Sequence, residues 1–316
     1  MNPGGRPPVG PDEGEGRMAA LLRELLAGWG AEVEIREAAP GRPNVLARFR
    51  GRDDTRSLML DAHSDTVPPG AMSVPPYAGE VRDGKLFGRG SCDDKGPMAA
   101  MLLGLKQALD AGGAPPVTTW FVATCDEELG AGGARALMAD GFRPTAAIVG
   151  EPTGLNVLVA HKGAVRWRVT TKGVSAHRSA PERGRNAVVM MGRVLERIEA
   201  GLRPTLTRRV HPLLGAPTVS VGVIRGGTQV NVVPARCEIE VDRRLNPGER
   251  PQEAGAELEE LLAGLRRDDP GFDAEWVETN AFPAFEEAAD SAIARLALGA
   301  CREVRGRAEV VTAPWA

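Results

Sequence analysis

Cysteine is scarce here and badly placed for the two tasks it most often serves. Cys92, Cys125, Cys237 and Cys301 are widely separated in the 316 residues, with no CxxC pair. That spacing excludes a disulfide framework and a thiolate zinc site, and it fits a reducing cytoplasm. Lysine is scarce too: five of the 39 basic residues, an imbalance that reads as genomic base composition rather than anion-binding design. The net charge of −3 gives no electrostatic case for nucleic acid or an anionic membrane surface as a partner. No run of about 18 apolar residues occurs, and no cationic start leads into an apolar segment, so neither a membrane span nor secretion by a cleaved leader is expected. Internal repeats are absent, and compositional bias is confined to the Gly- and Pro-rich residues 1–16, a poor start for a domain. What remains is an ordinary globular composition, 42% hydrophobic and 26% charged, in a length suited to one large or two medium domains.

The chain is organised around Leu58–Pro68, LMLDAHSDTVP. Its apolar start fits a buried strand, and Asp61, His63 and Asp65 follow at the strand's C-terminal end, where open α/β sheets bind ligands. His63 and Asp65 leave the same face of extended chain, so the carboxylate can fix the imidazole tautomer while the other ring nitrogen meets a metal. An ordinary turn with a surface Asp beside a histidine is the plainer alternative. The pattern recurs. GRGSCDDKGP places Asp93 and Asp94 before a helix that Pro97 is expected to open, where capping is the competing explanation. VTTWFVAT leads into Cys125, Asp126, Glu127 and Glu128, and the strand Ala146–Val149 leads into Gly150 and Glu151. Strand, acid and helix in alternation predict a doubly wound, mostly parallel sheet whose C-terminal edge gathers His63, Asp93, Glu127, Glu128 and Glu151. So many acids would repel one another unless cations held them.

Near Gly163 the pattern changes. AVRWRVTT alternates as a strand with one wet face, then come a helix from about Asn186 to Gly201, strands TVSVGVI and CEIEVDRR, a helix over 252–267 and a strand over 272–278. The order β-α-β-β-α-β predicts an inserted ferredoxin-like α+β domain over 162–274. It would interrupt a catalytic domain that occupies 1–161 and resumes over 275–316 with a helix from Glu286 and a strand ending at Thr312.

Six ordered motifs, HSDTVP, GRGSCDDKG, DEELG, GEPTG, GVSAHRSAPERGRNAV and NVVPARCEIEVDRR, resemble the co-catalytic metallo-amidohydrolases, the family of acetylornithine deacetylase, succinyl-diaminopimelate desuccinylase, aminoacylase and carboxypeptidase G. The resemblance covers almost the whole chain. It implies that His63 and Glu151 bind one metal, that Asp93 bridges two, and that Glu128 binds the second. Asp65 would orient His63, and Glu127 would be the general base for a water between the metals. It also implies a cis peptide at Asp93–Asp94. His177 would stabilise the oxyanion from a partner subunit, making the inserted domain a lid and dimerisation element of a homodimer, and Asn231 and Arg244 would contact substrate, Arg244 as a fork for its carboxylate.

The chemistry is coherent in its own terms, since two cations can activate water and polarise a carbonyl while a free carboxylate shuttles the proton. Histidine with carboxylates suits Zn(II), with Co(II) or Mn(II) as substitutes. Glu151 in GEPTG resembles the deacylase branch, so the expected substrate is a small N-acyl amino acid; a dipeptidase or carboxypeptidase acting on a short peptide is the alternative, and a non-catalytic metal-binding fragment a third. The family takes a further histidine for its second metal from a C-terminal segment, yet residues 275–316 contain none. The chain is therefore expected to be a fragment of a longer enzyme with one complete metal site.

Overall fold

Helix α1 (Gly16–Gly28) buries Ala19, Leu22 and Leu26, three residues on one helical stripe, and that stripe chooses the sheet face it covers. In this computed structural model, which describes residues 1–4, 13–177 and 179–314, the chain forms two compact units, Met1–Leu155 and Asn156–Ala316. The first continues through β1 (Glu32–Ala39), β2 (Arg42–Phe49), β3 (Asp53–His63), the hairpin β4 (Glu80–Arg82) and β5 (Lys85–Phe87), α2 (Lys95–Gly112), β6 (Val117–Thr124), α3 (Glu127–Gly130), α4 (Gly132–Ala139) and β7 (Ala146–Val149). The β4–β5 hairpin turns at Asp83 and Gly84, both with positive φ, as an Asp-Gly pair requires.

The sheet order is β1-β2-β6-β3-β7. Strand β3 runs parallel to both β6 and β7, whereas β1, β2 and β6 pair antiparallel. The sheet is thus mixed rather than mostly parallel, because β1 and β2 are joined by a tight hairpin with no room for a crossover helix. Alternate residues serve opposite faces: Val45, Ala47, Phe49, Phe121 and Ala123 pack under α1 and α2, while Leu46 and Val122 meet Leu137 of α4. Helices therefore cover both faces, and the parallel trio fixes the register. His63 pairs with Thr124 and Asp61 with Val149, so the chain leaving β6 and β7 emerges beside His63.

The second unit holds β8 (Val157–His161), β9 (Gly163–Lys172), α5 (Ala187–Arg197), a π-helical segment leading to α6 (Arg203–Leu206), β10 (Val219–Gly226), β11 (Arg236–Leu245), α7 (Pro251–Asp268), β12 (Ala274–Phe282), β13 (Phe285–Glu286), α8 (Ala292–Arg305) and β14 (Val310–Ala313). Strands β10-β11-β9-β12 form one antiparallel sheet. Val165, Trp167, Val169, Ile239 and Val241 face α5 and α7, while Arg166, Arg168 and Asp242 face water, Arg166 pairing with Asp242 at 3.2 Å. The β-α-β-β-α-β order is as expected. Two details differ: β12 runs on past residue 278 to Phe282, and a small sheet β13-β8-β14 follows where the sequence suggested a helix from Glu286. That helix, α8, starts later because Ser291 caps it, accepting the Ala294 N–H at 3.2 Å. Among the described residues no helix is long and apolar enough to cross a membrane.

Candidate metal centre

At the C-terminal end of β3, His63 is buried and both ring nitrogens are engaged. Nδ1 lies 3.1 Å from the main-chain oxygen of Asp65 and 3.4 Å from its Oδ1. A carbonyl oxygen can only accept, so Nδ1 carries hydrogen and Nε2 is turned toward Asp93 Oδ1, 2.8 Å away. The Asp65 main chain thus shares with its carboxylate the task of holding the ring. The Asp93–Asp94 peptide is cis, as expected. Asp94 does not cap α2 through its side chain; its Oδ2 accepts the His63 N–H at 3.1 Å. Helix α2 begins at Lys95, two residues before Pro97, since the loop is pulled tight against the site. A Cβ on Gly96 would lie 2.5 Å from the Ser91 carbonyl oxygen, so only glycine permits that approach.

Donor atoms of His63, Asp93 and Glu128 lie within 4.8 Å of one another. Glu128 also accepts the Val67 N–H at 3.0 Å through Oε1. Glu127 lies in the same field. Burial raises its carboxyl above the ordinary range, the charges of Glu128, Asp65 and Asp93 add to this, and His63 opposes it. Glu151 is open to solvent at its surface yet recessed enough that desolvation lifts it to about 8, with Glu127, Asp94 and Asp93 adding repulsion. His63 moves the other way for an imidazole: burial would lower it, but hydrogen bonds to Asp65 and Asp93 and the charge of Glu127 carry it up to about 10. All five residues expected at this edge therefore share one electrostatic environment, with Glu151 outside the tight triplet.

Such a set fits a divalent cation. One imidazole nitrogen and two carboxylates converge, surplus negative charge surrounds them, and buried Asp94 Oδ1 finds no hydrogen-bond partner among the described residues. His63 is also the only histidine in residues 1–155. His161 stacks on Phe285 and His211 lies 3.4 Å from Glu286.

The second unit separates the remaining candidates. His177, exposed, pairs by a β-bridge with Val232, next to Asn231, and its Nδ1 meets Ser179 Oγ at 2.7 Å. Both lie beyond the Arg236 end of β11. Arg244 stands eight residues along that strand, about 27 Å away at strand rise, where its Nε donates to Asp242 Oδ1 at 2.7 Å.

Four residues were not legible as site components. Arg42 and Glu15 form a buried bidentate pair, Nε–Oε2 2.7 Å and Nη2–Oε1 2.6 Å, and Arg42 also reaches Asp126 at 3.0 Å. Asn2 donates to Asp65 and Asp126. The signal available was slight: an acid before an amphipathic helix, and an Asn-Pro turn pair in a stretch that otherwise reads as solvated. Replacing Arg42 by leucine strands a buried carboxylate, and a loss of about 3–5 kcal/mol is expected in denaturant unfolding. The double variant Arg42→Leu/Glu15→Leu should recover most of it. A single variant within 1 kcal/mol of wild type would contradict the pairing.

A family profile for peptidase family M20/M25/M40 matches residues 59–316. The chain belongs to this family. Over 264 residues it is 35% identical to acetylornithine deacetylase of Myxococcus xanthus, spanning 81% of this chain and 68% of that protein. The match to the Vibrio vulnificus acetylornithine deacetylase, 36% identical over 243 residues, spans 75% of this chain and 63% of the relative, so the chain covers only about two thirds of these curated relatives. Among solved structures, aminopeptidase PepT from Bacillus cereus superposes with a TM-score of 0.76 over 96% of this chain and 79% of that one, at 23% identity. The shared M20 fold is thus mixed α/β, with parallel and antiparallel sheets.

Proposed function

We propose that this M20 chain is a metal-dependent amidohydrolase that cleaves N-acyl amino acids, with a dipeptidase or carboxypeptidase activity as the alternative within the family. The observation that carries it is the convergence of His63, Asp93 and Glu128 within 4.8 Å at the end of β3, with Glu127 beside them. The deacetylase relatives, at 35–36% identity, favour the acyl amino acid. His63 and Glu151 would hold one cation, Glu128 a second, and Asp93 both. Zinc suits the donors, with cobalt or manganese able to substitute.

When bound, the cations polarise the scissile carbonyl and lower the pKa of the attacking water. Glu127 would take a proton from that water as the C–O bond forms and return it to the nitrogen as the C–N bond breaks, and the water's second proton would pass to the departing amine, leaving a carboxylate and an ammonium group. Asp65 holds His63 and, by accepting the Glu127 and Glu128 N–H groups at 3.1 and 3.3 Å, holds the base as well.

His177 is proposed to stabilise the oxyanion, and Asn231 and Arg244 to contact the substrate. A small acyl amino acid cannot touch both ends of β11 in one chain, so these roles require two copies. This supports a homodimer whose ferredoxin-like lid, expected at 162–274, ends with β12. Mixing a His177→Ala chain with a Glu127→Ala chain is expected to restore part of the activity, and no recovery in a verified mixed dimer would reject the two-copy arrangement. To test the function, metal-stripped protein is reloaded with Zn(II) or Co(II) and assayed on N-acetyl and N-succinyl amino acids beside dipeptides. Release of the acyl acid supports the proposal; turnover of dipeptides alone selects the peptidase alternative.

A further inference from the structure

The side chain of Asn2 is buried and every polar atom on it is used. Its Oδ1 accepts the Gly4 N–H at 2.9 Å, and its Nδ2 donates to Asp65 Oδ2 at 2.7 Å and to Asp126 Oδ1 at 2.9 Å. The two acceptors are 61 residues apart in the chain and belong to different strand ends. Asp65 follows β3 and touches His63. Asp126 follows β6 in the left-handed region, φ 60°, and heads the turn that carries Glu127 and Glu128. Two carboxylates brought to one nitrogen repel each other unless donors hold them, and here one neutral amide donates to both. Asp126 is further fixed by Arg42, itself locked to Glu15.

We infer that Asn2 is a positioning residue of the metal centre: its amide clamps Asp65 to Asp126 and so, beside the Glu127 and Glu128 N–H groups that Asp65 accepts, tightens the spacing between His63 and the Glu127–Glu128 turn. The inference rests on the metal-hydrolase reading and adds a device to it. If the clamp is lost, the backbone anchor from the Asn2 N–H to the Thr66 carbonyl, 2.8 Å, and the Glu127 and Glu128 N–H bonds to Asp65 remain, so the segment stays docked while Asp65 and Asp126 lose their shared donor and the ligands' mutual register loosens. Groups that orient metal ligands from behind change affinity by about 10–100-fold when removed.

The test is Zn(II) titration of the apo full chain against a competing chelator, with apo thermal midpoints measured alongside. Asn2→Leu is expected to weaken Zn(II) binding by about 10–100-fold, and Asn2→Asp, which keeps the shape but sets a third carboxylate against two, by at least as much. In an Asp65→Asn background, Asn2→Leu should add less than about twofold, because residues in one hydrogen-bond network are not additive. Should Asn2→Leu fail to fold, Asn2→Asp serves the same comparison. Zinc affinity within twofold of wild type, or a loss fully additive with Asp65→Asn, would overturn the inference; a lowered midpoint with unchanged affinity would reduce Asn2 to a structural tether. Zinc binding by wild type that His63→Ala leaves untouched would instead bring down the metal-centre reading, and this inference with it.

Discussion

Replacing Glu127 with glutamine is expected to lower kcat by about 100- to 10,000-fold, the range spanned by loss of a general acid–base group. Bound metal should stay in place. The substitution preserves shape and leaves the main-chain N–H that Asp65 accepts at 3.1 Å, so the turn keeps its form while the proton acceptor disappears. Glu127 is not among the three converging donors; its neighbour Glu128 is. On the proposed assignment the two adjacent glutamates at the head of α3 would divide the work, Glu128 holding a cation and Glu127 left free, and Glu128→Gln should show the opposite pattern, with weakened metal binding. Metal content by elemental analysis, measured beside kcat on the same preparations, separates the two. A Glu127→Gln chain with kcat within tenfold of wild type would remove it from the role of base.

Asp93→Asn is expected to have the widest effect on metal. Its carboxylate is the one group common to both proposed ligand sets, and it already lies 2.8 Å from His63 Nε2. Affinity should fall by at least about 100-fold, the upper end of what even an orienting partner contributes. The consequence for stability follows from mass action. At a free zinc concentration 100 times the wild-type Kd, binding stabilises wild type by about 2.7 kcal/mol, whereas a variant bound 100-fold more weakly gains about 0.4 kcal/mol. Thermal midpoints with and without zinc should therefore separate wild type from Asp93→Asn clearly, and equal zinc-induced shifts would contradict the assignment.

How much of this was legible in the sequence depends on the range of the interaction. The ends of β3, β6 and β7 could be read because each is an apolar run closed by acids, and a parallel sheet necessarily brings such ends to one edge. The alternation in β9 and β11 was equally local, and it gave the β-α-β-β-α-β order. Arg243 is the exception within that alternation. It is fully buried in β11, where period 2 calls for an apolar side chain, and Glu249 2.8 Å away accounts for it, a contact no strand pattern announces. Residues 1–16 misled for a related reason. Glycine, proline and acids look solvated, yet Asn2 and Glu15 are buried because Asp65, Asp126 and Arg42, distant in sequence, supply their partners. Strand β8 was missed because VLVAH is short and its pairing partners, β13 and β14, lie about 125 and 150 residues farther on.

The most direct measurement is anomalous diffraction at the zinc absorption edge from crystals of the full chain equilibrated with Zn(II). A peak is expected about 2.0–2.2 Å from His63 Nε2 and from carboxylate oxygens of Asp93 and its partner acid, Glu128 or Glu151. It should disappear in Asp93→Asn crystals. Zinc bound elsewhere, with no peak between His63 and Asp93, would contradict the metal centre.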